Sequence, residues 1–144
     1  MKIIITGAYA IGTHLARLLS RNEEEITIID DDEQRLAKIG ADYDLLTICG
    51  SPSSVTTLKK AGTANADLFI AVTPDESENI NSCIIAHALK AKKTVAKVNN
   101  AEYVEDDIRQ FYKELGVDEL IYPEILAAKE INNGLKMSWV RQRW

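Results

Sequence analysis

The residues best placed to do chemistry are Gly7 and Gly12, which bracket the hexapeptide Gly7-Ala8-Tyr9-Ala10-Ile11-Gly12 directly after an apolar N-terminal run. In a dinucleotide-binding turn the first glycine makes the tight bend. The second lets the backbone approach the pyrophosphate, and the third allows the helix to pack closely on the strand. Backbone N–H groups at the start of that helix then point at the phosphates. Here the first and third positions are glycine, but the second is Tyr9. A bulky side chain there is expected to alter or block the usual pyrophosphate approach. Alone, the hexapeptide also reads as a tight strand-to-helix turn with no ligand.

Asp30 strengthens the ligand reading. It closes the next β-branched run and follows Gly12 at close to the roughly 20-residue offset of a ribose-binding carboxylate. A carboxylate at a strand tip can accept hydrogen bonds from both ribose hydroxyls of an adenosine. Asp31 and Asp32 come next, and either suits a helix N-cap, where a carboxylate accepts backbone N–H groups at the positive end of the helix dipole. Three successive acids would repel a 2′-phosphate, which disfavours NADP.

The loop Thr73-Pro74-Asp75-Glu76-Ser77-Glu78-Asn79 follows another apolar run. It therefore falls at the carboxyl ends of the strands, where doubly wound sheets bind ligands. Thr73 is expected to face a ligand and Asp75 to cap the next helix, while Asn79 reads as a contact or a surface residue. Lys97 interrupts the apolar stretch Val95-Ala96-Lys97-Val98. It either reaches over the strand ends to a terminal phosphate as a point charge or snorkels to solvent. His14 and His87 fall on helical stretches without a partner for catalysis and read as structural or surface. No Ser/His/Asp set, metal pair or general base emerges, so no catalytic residue is assigned.

Positioning these groups requires strands alternating with helices. The strand candidates are Lys2–Thr6, Glu25–Asp30, 45–49, 68–72, 94–98 and a weaker Glu119–Ile121. They read as continuous apolar segments, the pattern of strands buried on both faces of a parallel sheet. Between the first two, Ile11, Leu15, Leu18 and Leu19 form one helical stripe. Later helices are marked by Leu36 and Ile39, by Val55 and Leu58, and by Ile80, Ile84 and Ala88 within 76–91. The fifth carries Val104, Ile108, Phe111 and Leu115 and stops at Gly116. Right-handed crossovers through such helices give a doubly wound, Rossmann-like six-stranded parallel sheet in a single domain, over residues 1–123. Pro123 opens a last helical segment over about 124–135. With Ile125, Leu126 and Ile131 apolar, residues 124–144 are expected either to form a dimer or crossover element or to pack back on their own domain. The tail ends on Trp144 with no terminating signal, which reads as the interior of a longer protein.

The bulk composition narrows the class. With 144 residues, 46% hydrophobic and 27% charged, the chain is sized for one well-covered core. A net charge of −5 argues against a nucleic-acid partner, since phosphate-backbone binding rests on a basic excess. No apolar run approaches the roughly 20 residues that span a bilayer. The N-terminal run is too short for a signal peptide, so a cytoplasmic location is expected. Cys49 and Cys83 sit in apolar contexts with no CxxC or Cys/His cluster, and both are expected to be plain buried thiols.

Taken in order, GAYAIG, ITIIDDDEQRL, ICGSPSSVTTLKKAGTANADLFIAVTPDESENI and VAKV resemble the regulator-of-potassium-conductance (RCK) domain, also called KTN or TrkA-N. The resemblance runs over essentially the whole chain and is most specific from Gly50 to Asn79. It implies a regulatory, non-enzymatic domain that dimerises or forms rings on a membrane potassium transporter or channel of the Trk type. Such a domain is peripheral to the inner face of the membrane and binds NAD(H) or ATP/ADP. It assigns Gly7 and Gly12 to the phosphate turn, Asp30 to the ribose, Thr73 to the pocket, and Lys97 to a place where such proteins often carry a phosphate-binding arginine. The candidate cofactor-binding set is thus Gly7, Ala8, Tyr9, Ala10, Ile11, Gly12, Asp30, Asp31, Gly50, Thr73 and Lys97. Tyr9 for glycine and Lys97 for arginine depart from the family pattern. Two other readings stand beside this one: the cofactor domain of an NAD-dependent oxidoreductase, which lacks here a substrate site or acid/base group, and an interaction domain whose cleft holds no nucleotide.

Overall fold

A computed structural model of the protein describes residues 1–22, 24–40 and 43–123. Six parallel strands form one sheet: β1 (Lys2–Thr6), β2 (Glu25–Asp30), β3 (Leu46–Cys49), β4 (Leu68–Ala71), β5 (Thr94–Lys97) and β6 (Glu119–Ile121), in the spatial order β3-β2-β1-β4-β5-β6. The helices between them are α1 (Ala10–Ser20), α2 (Glu33–Gly40), α3 (Val55–Lys60), α4 (Glu76–Ala88) and α5 (Asp106–Leu115). The order reverses at β1, which pairs with β2 on one side and β4 on the other. A crevice opens beyond the carboxyl ends of strands at such a switch point.

The apolar runs divide their side chains between two cores because successive strand residues face opposite ways. On one face Ile3, Ile5, Ile26, Ile28 and Ile70 pack against Leu15 and Leu19 of α1 and Leu36 and Ile39 of α2. On the other, Ile4, Ile29, Phe69 and Ala96 meet Leu58 of α3 and Ile80, Cys83 and Ala86 of α4. Burial on both faces is what the uninterrupted apolar strands require.

Several expectations need correction. The third strand begins at Leu46 and is not buried on both faces: Leu46 is 61% exposed, and Cys49 is exposed where a buried thiol was expected. Among the described residues β3 is an edge strand with a neighbour on one side. Cys83 is buried, and burial among apolar groups pushes its thiol far above its ordinary pKa. The fourth helix stops at Ala88 rather than 91. Lys90 adopts a positive φ of 84°, and the N–H of Ala91 turns back to the carbonyl of Ala86 at 3.0 Å, a left-handed helix close. Val104 falls in a separate 3-10 turn, Ala101–Val104, and Phe111 and Leu115 of α5 are 53% and 43% exposed. The segment 124–144, read as a dimer or crossover element, lies outside the described residues.

Candidate functional site

The glycine turn and the acidic strand tip meet. Gly7 follows β1 with a φ of 101°, a left-handed conformation that disfavours any residue with a Cβ. A Cβ there would also lie 3.0 Å from the backbone nitrogen of Thr73, so the turn abuts the loop after β4. At Gly12 a Cβ would fall 1.8 Å from the carbonyl oxygen of Gly7, so α1 starts where only glycine fits. Between them, Tyr9 is the N-cap of α1 with φ −94°, which any residue adopts. The second glycine position is therefore open to tyrosine as far as the backbone is concerned. Ala8 is buried, Ile11 half-buried and Ala10 exposed.

Asp30, 2% exposed, binds the turn directly. Its Oδ2 accepts the backbone N–H of Ala8 at 2.7 Å, and its Oδ1 accepts that of Asp32 at 2.9 Å. Arg35, in the first turn and a half of α2, donates its Nε to both oxygens at 3.1 and 3.2 Å and brings Nη2 to 3.0 Å from Oδ1. Burial pushes the Asp30 carboxyl up, but the Arg35 and backbone hydrogen bonds and the guanidinium charge outweigh it and hold the group below its ordinary range. Asp32 caps α2, its Oδ1 accepting the N–H of Gln34 at 2.8 Å. Arg35 reaches Asp31 and Asp32 as well, at 3.3 and 3.2 Å. Its guanidinium carbon also stacks 4.1 Å from the centre of the Tyr9 ring.

The opposite wall is set by Asn79, which is fully buried in the first turn of α4 rather than lying at the surface. Its Oδ1 accepts both the backbone N–H and the hydroxyl of Thr73, at 2.9 and 2.8 Å. Its Nδ2 donates to the carbonyls of Thr73 and Lys97 at 2.8 and 3.0 Å. One amide thus ties the loop after β4 to the end of β5. Replacing Asn79 by alanine strands these buried backbone groups, and we expect a loss of about 2–4 kcal/mol, read as a lower urea midpoint. Asp75 caps α4 as its position suggested, accepting the N–H groups of Ser77 and Glu78 at 3.0 and 3.2 Å.

Between the walls lies a cleft of about 190 Å³ lined by Tyr9, Asp30, Asp31, Pro52, Thr73, Pro74, Asp75 and Glu78. It is smaller than the roughly 300 Å³ at the lower end of small-molecule pockets and open to solvent, so it would enclose only part of a nucleotide. Among the described residues four carboxylates line it and no lysine or arginine does. Burial raises the Glu78 carboxyl above its ordinary range, and the charges of Asp75, Asp31 and Asp30 add to this against an opposing hydrogen bond from Thr73. Of the residues singled out in the sequence, Tyr9, Asp30, Asp31 and Thr73 line the cleft and Gly7 abuts it through Thr73. Gly50 sits behind Asp30, its N–H donating to the Asp30 carbonyl at 3.0 Å. Lys97 is half-buried, and its ammonium donates to Asn99 Oδ1 at 3.3 Å rather than lining the cleft. Arg35 and Glu78 were not singled out. The signal for Arg35 is its spacing, three and four residues after Asp32 and Asp31, which precede α2.

Comparison with known proteins agrees with this architecture. The chain is 38% identical over 133 residues to the Trk system potassium uptake protein TrkA of Haemophilus influenzae, covering 91% of this chain and 29% of that protein. It thus spans less than a third of that relative. Among solved structures, the TrkA-N domain of the inner membrane protein ybaL from Escherichia coli superposes with a TM-score of 0.75 at 16% identity, covering 93% of this chain and 96% of that one. The GsuK channel bound to NAD gives a TM-score of 0.70 at 18% identity, over 83% of this chain and 21% of that one. GsuK bound to ADP gives 0.69 at 18% identity, over 84% and 31%. At such identities these superpositions speak for the fold. Residues 3–123, the sheet but for its first residue together with the helices, match the TrkA-N domain, and the chain belongs to that family.

Proposed function

We propose that this chain is the nucleotide-binding regulatory domain of a potassium-uptake system, and that NAD(H) or ATP/ADP bound in the cleft controls a membrane potassium transporter of the Trk type. One observation carries the reading. The N–H of Ala8 donates to Asp30 Oδ2 at 2.7 Å, so phosphate turn and ribose-type carboxylate converge on one crevice at the sheet's switch point. The GsuK structures with NAD and ADP support the choice of ligand class, and the TrkA relative supports the choice of process. Among the described residues no helix is long and apolar enough to cross a membrane. The domain then acts from the cytoplasmic face, docked on its transporter as a homodimer or higher ring.

Control follows from linkage. A nucleotide shifts an equilibrium between two assembly shapes only by its difference in affinity for them. The Gly7–Gly12 turn, Asp30, Asp31, Gly50, Thr73 and Lys97 are the residues proposed to translate occupancy into shape. Calorimetric titration of the intact protein with ATP, ADP, NAD and NADH tests the reading, and saturable binding of at least one is the expected result. The Tyr9–Arg35 stack at the cleft rim favours one alternative, an interaction domain that binds no nucleotide. Failure of all four ligands to bind at millimolar concentration would overturn the nucleotide reading and favour that alternative.

A further inference from the structure

Arg35 is not among the residues that line the cleft, yet it holds the carboxylate proposed to recognise the ribose. An ionised carboxylate offers about four lone-pair sites. At Asp30 the backbone N–H groups of Ala8 and Asp32 take one on each oxygen. Arg35 takes the remainder, with Nε near both oxygens and Nη2 at 3.0 Å from Oδ1. A ribose diol needs two acceptor positions, so ribose and Arg35 compete for the same lone pairs. The Ala8 and Asp32 bonds are fixed by the turn and by the helix start, which leaves Arg35 as the partner able to leave.

Two further features say where it goes. Arg35 is 30% exposed and is also held by Asp31 at 3.3 Å, by Asp32 at 3.2 Å and by the Tyr9 ring at 4.1 Å. Released from Asp30, the guanidinium keeps these contacts at the mouth of the cleft instead of being lost to solvent. Among the described residues the cleft wall supplies four carboxylates and no cation, and the Lys97 ammonium is engaged with Asn99. A phosphorylated ligand entering there meets negative charge unless a cation comes with it. A planar guanidinium suits a phosphate by paired hydrogen bonds.

We infer that Arg35 is a specificity-determining latch, displaced from Asp30 by the ribose of an adenine nucleotide and transferred to its phosphate. The inference rests on the nucleotide-binding reading and adds a consequence to it. The same residue opposes an unphosphorylated adenosine and favours a phosphorylated one, so the site selects for phosphate although no lysine or arginine among the described residues lines it.

The test compares the intact protein with its Arg35→Met and Arg35→Lys variants by calorimetric titration against adenosine and ADP. For Arg35→Met the two ligands should move in opposite directions. Adenosine should bind several-fold tighter, because Asp30 is free, and ADP about tenfold weaker, because the charge-assisted contact is gone. Arg35→Lys keeps the charge without the planar fork, so its adenosine affinity should rise while its ADP affinity falls between the other two proteins. It carries the test alone if circular dichroism finds Arg35→Met unfolded. Affinities for adenosine and ADP that shift in the same direction, or that do not shift, overturn the latch. If the unsubstituted protein binds neither ligand nor NAD, the nucleotide reading itself fails, an outcome distinct from a latch that does not discriminate.

Discussion

Replacing Gly12 by alanine is expected to destabilise the domain by about 3–5 kcal/mol, measured as a fall in the urea midpoint at unchanged slope. The reason is geometric. The added methyl would sit 1.8 Å from the carbonyl oxygen of Gly7 and 3.3 Å from Val72. Neither neighbour is the free end of a flexible side chain. Gly7 is fixed by its N–H bond to the Ile29 carbonyl at 2.8 Å, and Val72 by its N–H bond to the Thr6 carbonyl at 3.0 Å. To relieve the clash α1 must lift from the sheet, withdrawing Leu15 and Leu19 from the core they share with Ile3 and Ile28. That cost is present with or without ligand. A variant as stable as the parent would mean that the close approach of α1 to the turn is not required for folding.

Asp30→Asn is expected to lower affinity for ADP or NAD about a hundredfold, the effect of losing two charge-assisted hydrogen bonds to a ribose diol. Calorimetry checks it directly. The same substitution changes the acid limb of stability. The Asp30 carboxyl lies below its ordinary range in the folded protein, despite burial, because Arg35, Ala8 and Asp32 stabilise the charged form. Its contribution is therefore complete above the unfolded-state pKa of about 4 and drains away as pH falls through the lower folded value. With asparagine at this position the dependence of folding stability on pH should flatten below about pH 4. Thermal melts across that range that superimpose on the parent's would show that Asp30 is not the stabilising carboxylate.

Much of this architecture could be read from the chain itself, and the reasons are local. Runs such as Lys2–Thr6 and Glu25–Asp30 announce buried strands because both faces must be apolar between two helical layers. The glycine spacing announces the turn because a backbone oxygen stands where a Cβ would be. What escaped depends on contacts made across the chain. An amide in the first turn of a helix carries no periodic signal, so the burial of Asn79 becomes evident only once β4 and β5 lie side by side. No sequence signal separates Arg35 from an ordinary surface pair, since acid and base three or four apart around a helix start normally form one. Its importance comes from Asp30 being buried at the strand tip. The exposure of Cys49 likewise follows from the position of β3 at the sheet's edge, which depends on the order of strands rather than on the composition of any one of them.

The double grip of Asn79 on Thr73 and Lys97 has a mechanical consequence. It locks one jaw of the crevice, the loop beyond β4 with the start of α4 and the tip of β5, into a single stiff piece. The facing jaw, the opening turn of α2, is held to the sheet's rim by the Asp30–Arg35 salt bridge and by the Asp32 N–H bond to Asp30, while Leu36 and Ile39 seat the helix in the core. Under the proposed latch an entering ligand would therefore act first on the start of α2, and a partner that senses occupancy would have most to gain by resting against that helix.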